Sequence, residues 1–117
     1  MEDINKPDKK ITYEDFKKVE MKVGQILSAE KIPDTDKLLK LSVDFGEGSP
    51  RQIVSGIALH FPDILQLVGK KCMFVTNLEP RTIKGFVSDG MILAVGDGDT
   101  FSLVEPGPEI LPGSTAR

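Results

Sequence analysis

Residues 19–27 read Val-Glu-Met-Lys-Val-Gly-Gln-Ile-Leu and decide the predicted fold class. The apolar residues Val19, Met21 and Val23 alternate with charged residues or glycine, which is the period of a β-strand with one buried face. After Gly24 the apolar residues no longer keep this phase. A glycine at a phase change favours a bulge or a sharp bend, and such bends curl sheets into barrels.

Further along the chain, the same alternation returns in short segments separated by turn residues. The most helix-like segment lies after the third strand, because Pro62 suits a first helical position and Gly69 a helix end. Five short strands with a short helix between the third and fourth are the element order of an all-β, five-stranded OB-fold Greek-key barrel. The order alone is compatible with other small barrels. The further predicted strands cover residues 39–45, 51–55, 72–76, 91–95 and, as a last short strand, 101–104.

The two ends of the chain lack this alternation. Residues 1–11 are predicted to be a flexible tail, and residues 12–117 to form one domain. Thr12 and Asp15 have the spacing of a helix start. Past residue 104, prolines favour an extended C-terminal segment over a helix.

Composition bounds the environment of the protein. No apolar run approaches the roughly 20 residues of a membrane span, so no membrane partner is expected. The polar first ten residues do not resemble a secretory signal. A single cysteine, Cys72, cannot form an internal disulfide, which favours a reducing compartment and predicts a cytoplasmic protein.

The charge is unevenly distributed. The chain has 15 basic and 18 acidic side chains, a net charge of −3, whereas nucleic-acid binders are usually basic. The whole excess falls in residues 91–117, so the remainder balances and allows a local positive patch.

Chemistry-bearing motifs are scarce, and no enzyme activity or cofactor is expected. The chain lacks the glycine-rich phosphate-binding motifs and the nucleophile elbow of hydrolases. His60, the one imidazole, is expected at the surface or partly packed. Cys72 opens a core strand, and one histidine with one cysteine makes a zinc site improbable.

Basic residues fall in the loops that an OB barrel brings together on one rim. If they converge, they would attract phosphate oxygens; otherwise each is a solvated surface residue. Few aromatics are available, which disfavours stacking of single strands and favours binding of a folded RNA. Lys31, Lys37 and Lys40 flank the turn between the first two strands, and the other basic residues are Arg51, Arg81 and Lys84.

Two further loop residues have open roles. Asn77 is expected to hold the long loop of residues 77–90 through backbone hydrogen bonds, with direct RNA contact as the alternative. Met91 is either a core residue or an exposed thioether.

In order along the chain, six short blocks resemble one family: residues 15–24, 36–38, 52–57, 77–81, 84–85 and 88–93. Together they resemble the tRNA-binding OB domain found at the C-terminus of methionyl-tRNA synthetases, as a free-standing tRNA-binding protein and in cytokine-like synthetase cofactors. The resemblance implies tRNA binding with little sequence preference and no catalysis by the domain. It also implies a homodimer formed partly through segments C-terminal to the barrel, and allows an aminoacyl-tRNA synthetase as partner.

By this resemblance, the tRNA-facing positions are Asn77, Arg81, Ser88 and Met91. Charge alone adds Lys31, Lys37, Arg51 and Lys84 to the predicted tRNA-binding set.

Three positions depart from the family pattern: Ile32 replaces a histidine, Thr35 an alanine and Asp89 a glutamate. A related branch, a dimeric secretion chaperone, lacks the block at residues 88–91, which favours tRNA binding here. A dimeric, chaperone-like protein-interaction module is the alternative.

Overall fold

The computed structural model describes residues 9–117, so most of the predicted tail lies outside the described residues. One short helix is followed by strands, with two 3₁₀ turns between the third and fourth strands. The 3₁₀ turns are Ala58–His60 and Ile64–Leu67. The other elements are α1 (Tyr13–Lys17), β1 (Met21–Lys31), β2 (Leu39–Asp44), β3 (Arg51–Ser55), β4 (Lys71–Val75), β5 (Arg81–Ile83), β6 (Phe86–Ser88), β7 (Met91–Ile92), β8 (Ala94–Asp97) and β9 (Thr100–Leu103).

The central sheet is antiparallel and has the order β3-β2-β1-β4-β7. The first half of β1 pairs with β4, and the second half pairs with β2. The register shifts between Ile26 and Ser28, which places a bulge in β1. At Gly24 an added Cβ would lie 2.5 Å from Cγ1 of Val43. The predicted bend is therefore confirmed: the glycine lets the strand curve tightly over the core.

The sheet closes into a barrel where β3 meets the end of β6. The Asp89 N–H donates to the Gln52 carbonyl at 2.9 Å, and the Gln52 side chain donates to the Val87 carbonyl at 2.9 Å. Ser88 Oγ accepts from the Val54 N–H at 2.9 Å. These contacts close the predicted all-β, five-stranded barrel.

Alternating residues of the barrel strands fill the core. Phe45 and Phe74 meet edge to face, with ring centroids 5.1 Å apart. Cys72 is fully buried beside them, as predicted, and burial raises the pKa of its thiol to about 11. The largest fully buried side chains are Phe45, Phe74, Ile26, Leu39, Leu41, Ile53, Leu67, Val43 and Cys72.

Three segments differ in detail from the sequence-based expectation. The predicted helix is a single 3₁₀ turn, Ile64–Leu67, capped by Asp63. The segment between Pro62 and Gly69 has too few residues to offset the cost of nucleating an α-helix. The expected loop at 77–90 contains the β5–β6 hairpin. The predicted strand at 91–95 divides, since β7 pairs with β4 whereas β8 leaves the sheet and pairs with β9.

Two predictions near the chain ends are confirmed, the helix start at Thr12 and the extended C-terminal segment. Thr12 Oγ1 accepts from the Asp15 N–H at 3.0 Å and caps α1. The C-terminal segment is extended and runs along β1, where the Gly113 N–H donates to the Val23 carbonyl at 2.7 Å. It covers the part of the β1 edge that β2 leaves unpaired.

Candidate nucleic-acid interface

A tight hairpin presents two of the predicted cations. β5 and β6 are joined by the two-residue turn Lys84–Gly85, whose φ angles are both positive, 53° and 87°. Such a turn matches the twist of paired strands and needs glycine or a tolerant residue at both positions. Lys84 lies at the tip, and Arg81 lies at the base, opposite Ser88. Both cations are exposed, and no carboxylate within residues 9–117 forms an ion pair with them.

The hairpin packs on the outside of the barrel wall. Ile53 and Val54 are neighbours in β3 and so point to opposite faces, yet both are buried. Ile53 faces the core, and Val54 is covered by the hairpin and the segment around it. The hairpin thus turns one strand of the barrel into a strand buried on both faces.

Beside the hairpin lies a small cleft of about 80 Å³, lined by apolar side chains together with Arg81, Glu79 and Ser88. Met91 is 46% exposed there, so its thioether is available at the surface rather than in the core. Leu78 is similarly exposed. Exposed apolar side chains beside a guanidinium can accept the face of a base while the cation meets a phosphate.

The cations of the first loop lie near the β1–β2 end. Lys31 ends β1 and is opposite Leu39, and Lys37 lies in the loop between the strands. Both side chains are exposed. The next outward-facing residue of β2, Lys40, reaches the hairpin: its Nζ lies 4.8 Å from the centroid of the Phe86 ring. This contact brings the β1–β2 end and the hairpin together.

Arg51 is held by the protein's own acceptors. Its guanidinium makes two hydrogen bonds to the Glu47 carboxylate, at 2.7 and 3.0 Å, and a third to the Thr76 carbonyl at 2.7 Å. The hydrogen bonds to Glu47 raise the pKa of Arg51 and lower the pKa of Glu47. The same guanidinium lies 5.2 Å from the ring centroid of Phe45. Arg51 therefore ties the β2–β3 loop to the end of β4.

Two polar residues of the predicted set make internal hydrogen bonds. Asn77 Oδ1 accepts from the Glu20 N–H at 2.8 Å, and its Nδ2 donates to the Lys18 carbonyl at 2.6 Å. The expected loop-holding role of Asn77 thus takes the form of a link between α1 and the end of β4. Ser88 is 5% exposed and is used in closing the barrel. Contact of these residues with RNA stays a prediction.

Sequence reasoning named Lys40 beside the turn between the first two strands but left it out of the predicted tRNA-binding set, and it did not single out Phe86. The outward direction of Lys40 follows from its place between Leu39 and Leu41, which alternation assigns to the core. The ring of Phe86 lies 46 positions further along the chain, and no local pattern links the two residues.

Two further features of the described chain concern the surroundings of His60 and possible metal or membrane sites. His60 is partly buried and stacks on Phe101, with centroids 3.7 Å apart, at the side of a cavity of about 440 Å³. Within residues 9–117, no three His, Cys, Asp or Glu side chains gather in a way that could hold a metal ion. In the same range no helix is long and apolar enough to cross a membrane.

The comparisons with known proteins agree on one kind of domain. A family model described as "Putative tRNA binding domain" matches residues 21–115. The methionine–tRNA ligase of Helicobacter pylori is 51% identical to this chain over 105 residues. That match covers 89% of this chain but 16% of the ligase, so the chain spans about a sixth of that relative's length.

Solved structures match the chain over most of its length. A protein related to methionyl-tRNA synthetase from Pyrococcus horikoshii is 39% identical, with a TM-score of 0.84 and coverage of 92% of this chain and 98% of that one. The chaperone CsaA from Bacillus anthracis is 26% identical, with a TM-score of 0.80 and coverage of 92% and 99%.

Proposed function

The chain belongs to the tRNA binding domain family, and we propose that it binds tRNA through phosphate contacts and shape, with little sequence preference and without catalysing a reaction. The observation that carries the proposal is the family match over residues 21–115, which includes the exposed, cation-bearing hairpin of Arg81 and Lys84. The domain would serve as an accessory of methionyl-tRNA synthetase, since its relatives include methionine–tRNA ligases.

The proposed contact set centres on the hairpin. Arg81 and Lys84 would neutralise phosphates, because both are exposed and unpaired within the described chain. Lys31 and Lys37 would extend the positive surface from the β1–β2 end. Met91 would supply an apolar contact in the cleft beside Arg81. Arg51, Asn77 and Ser88 would support this surface through the internal hydrogen bonds that they already make.

Salt dependence of tRNA binding tests this proposal. We expect roughly micromolar affinity at low salt. A plot of log K for tRNA binding against log salt concentration should have a negative slope, and the slope should become shallower by about 0.7 to 0.9 for each phosphate contact removed. Arg81→Ala combined with Lys84→Ala should therefore flatten the slope by roughly 1.5 for every tRNA tested. Lys70→Ala is the control, since this lysine pairs with Glu105 at 3.5 Å. Absence of any gel shift of total tRNA at low salt contradicts the proposal.

Homodimerisation is a further part of the proposal. It is supported by exposed apolar side chains in the C-terminal segment that follows β9, where Leu111 is 70% exposed and Ile110 is 40% exposed. Light scattering with size-exclusion chromatography should give twice the monomer mass of 12.8 kDa. A synthetase partner and a cytoplasmic location follow from the proposed role in translation.

The second candidate function is that of a chaperone-like protein-interaction module. It is favoured by the similarity to the chaperone CsaA, at a TM-score of 0.80. Pull-down from lysate with and without nuclease separates the two functions. Partners that survive nuclease support the chaperone-like function, and partners that disappear support tRNA binding.

A further inference from the structure

Lys40 occupies an unusual position between a carboxylate and an aromatic ring. Its Nζ lies 3.3 Å from Oε1 of Glu30 on β1 and 4.8 Å from the centroid of the Phe86 ring on β6. The lysine side chain is 29% exposed. Its charge is therefore already balanced by the protein, and its ammonium is directed at the hairpin.

Strand geometry explains why Lys40 reaches this ring. Leu39 and Leu41 are buried in the core, so Lys40 points to the outer face of β2. The hairpin covers the outer face of the neighbouring strand β3 at Val54, which is directly opposite Lys40. The tip of the hairpin then lies above β2, where Phe86 meets the ammonium.

The two ends of the hairpin are held differently. Its base is fixed by the backbone of β3, through the hydrogen bonds of Ser88 and of the Gln52 side chain. Phe86, which is next to the turn, meets the barrel wall through Lys40. A two-stranded hairpin is only marginally stable in water, so the direction of its tip depends on such docking contacts.

We propose that Lys40 is a positioning residue for tRNA binding, which acts by holding Phe86 and thereby the turn that carries Lys84. The inference rests on the proposed function, because the hairpin is the centre of the proposed tRNA contacts. It differs from a role in phosphate binding in one respect: Lys40 acts through the ring of Phe86, and its effect disappears when the ring is removed.

A double-mutant cycle with Lys40→Gln and Phe86→Leu tests this role. A cation–π contact of this kind corresponds to about a two- to fivefold effect on binding. Each single variant should weaken tRNA binding by about that factor, and the double variant should be no weaker than the more affected single variant. Lys40→Arg should bind like the wild type, because a guanidinium also interacts with the ring. Phe86→Leu removes no charge, yet should flatten the salt slope because Lys84 loses its position.

Lys70→Gln is a matched control, since Lys70 is 34% exposed and pairs with Glu105 at 3.5 Å, but without a ring above it. It should bind like the wild type. If the loss of tRNA affinity in the double variant equals the product of the losses in the two single variants, the inference is overturned. Normal tRNA binding by Phe86→Leu also overturns it. Thermal unfolding of each variant shows that it is folded.

An NMR measurement keeps this test separate from the proposed function. The ring current of Phe86 should shift the ε-methylene protons of Lys40 upfield in the free protein, and Phe86→Leu should abolish the shift. An unshifted Lys40 in the wild type overturns the inference even if tRNA binds. A wild type with the shift but without tRNA binding contradicts the proposed function instead.

Discussion

The side chain of Ser88 accepts a hydrogen bond from the backbone N–H of Val54, at 2.9 Å, in β3, the end strand of the central sheet, which pairs with β2 and not with β6. Both residues are buried. The barrel is thus closed in part by a side chain, and the hairpin that carries Arg81 and Lys84 is anchored at the same point.

We expect Ser88→Ala to lower the free energy of unfolding by about 1–3 kcal/mol, since it leaves a buried N–H unsatisfied. Urea denaturation measures the change. Ser49→Ala is the control, because Ser49 is exposed and should change stability by less than about 0.5 kcal/mol. Equal stability of Ser88→Ala and the wild type would show that the hydroxyl is dispensable for closure.

Gly24→Ala should also destabilise the protein, by about 1–3 kcal/mol, because the added methyl group would overpack the core. Its carbon would lie 2.5 Å from Val43 and 2.6 Å from Phe45. Gly56→Ala offers a matched comparison, since the nearest atom, in Leu38, is 4.0 Å away. If both variants melt at the same temperature, the close approach at Gly24 does not determine the curvature of β1.

The strands could be predicted because a strand with one buried face has an apolar residue at every second position, as at Leu39, Leu41 and Val43. Gly24 marked the bend because glycine weakens a strand interior and is typical of places where the backbone bends or packs closely. The β5–β6 hairpin was missed because each strand is three residues long, too short for alternation to be distinguished from loop sequence.

The partners of individual side chains could not be predicted from the sequence. A cation at a strand start looks the same whether it is free or paired, and only the fold brings Thr76 and Glu47 to Arg51. The contact of Lys40 with Phe86 likewise depends on how the hairpin lies on the barrel.

Asn77 supports a prediction that separates loop-holding from RNA contact. Asn77→Asp keeps the acceptor for the Glu20 N–H but replaces the donor to the Lys18 carbonyl with a second oxygen. We expect a loss of about 1–2 kcal/mol in the free energy of unfolding. Hydrogen exchange at α1 should accelerate as well. Weaker tRNA binding by Asn77→Ala, which adds no negative charge, together with normal stability would instead indicate direct contact with RNA.

Cys72 should be unreactive in the folded protein. It is fully buried, and its thiol pKa of about 11 lies well above the ordinary value of 9.0, so its thiolate is about a hundredfold scarcer near pH 8. Titration with a chromogenic disulfide reagent should give no rapid reaction in buffer and one thiol per chain in denaturant. Rapid modification of the native protein would mean that the core opens around β4.

Glu47 should make stability depend on pH in the acidic range. The hydrogen bonds from Arg51 lower its pKa in the folded state from the ordinary value of 4.5, so folding favours the charged carboxylate. The resulting stabilisation is fully present above pH 4.5 or so and is lost as the pH falls through the folded-state pKa. Urea unfolding at pH 7, 5 and 3 should therefore show that the wild type has a higher free energy of unfolding than Glu47→Gln, and that this difference becomes smaller at pH 3. In an Arg51→Met background the difference in the free energy of unfolding should no longer depend on pH, because the guanidinium causes the pKa shift. If the difference between the wild type and Glu47→Gln stays constant down to pH 3, Arg51 does not lower the pKa of Glu47.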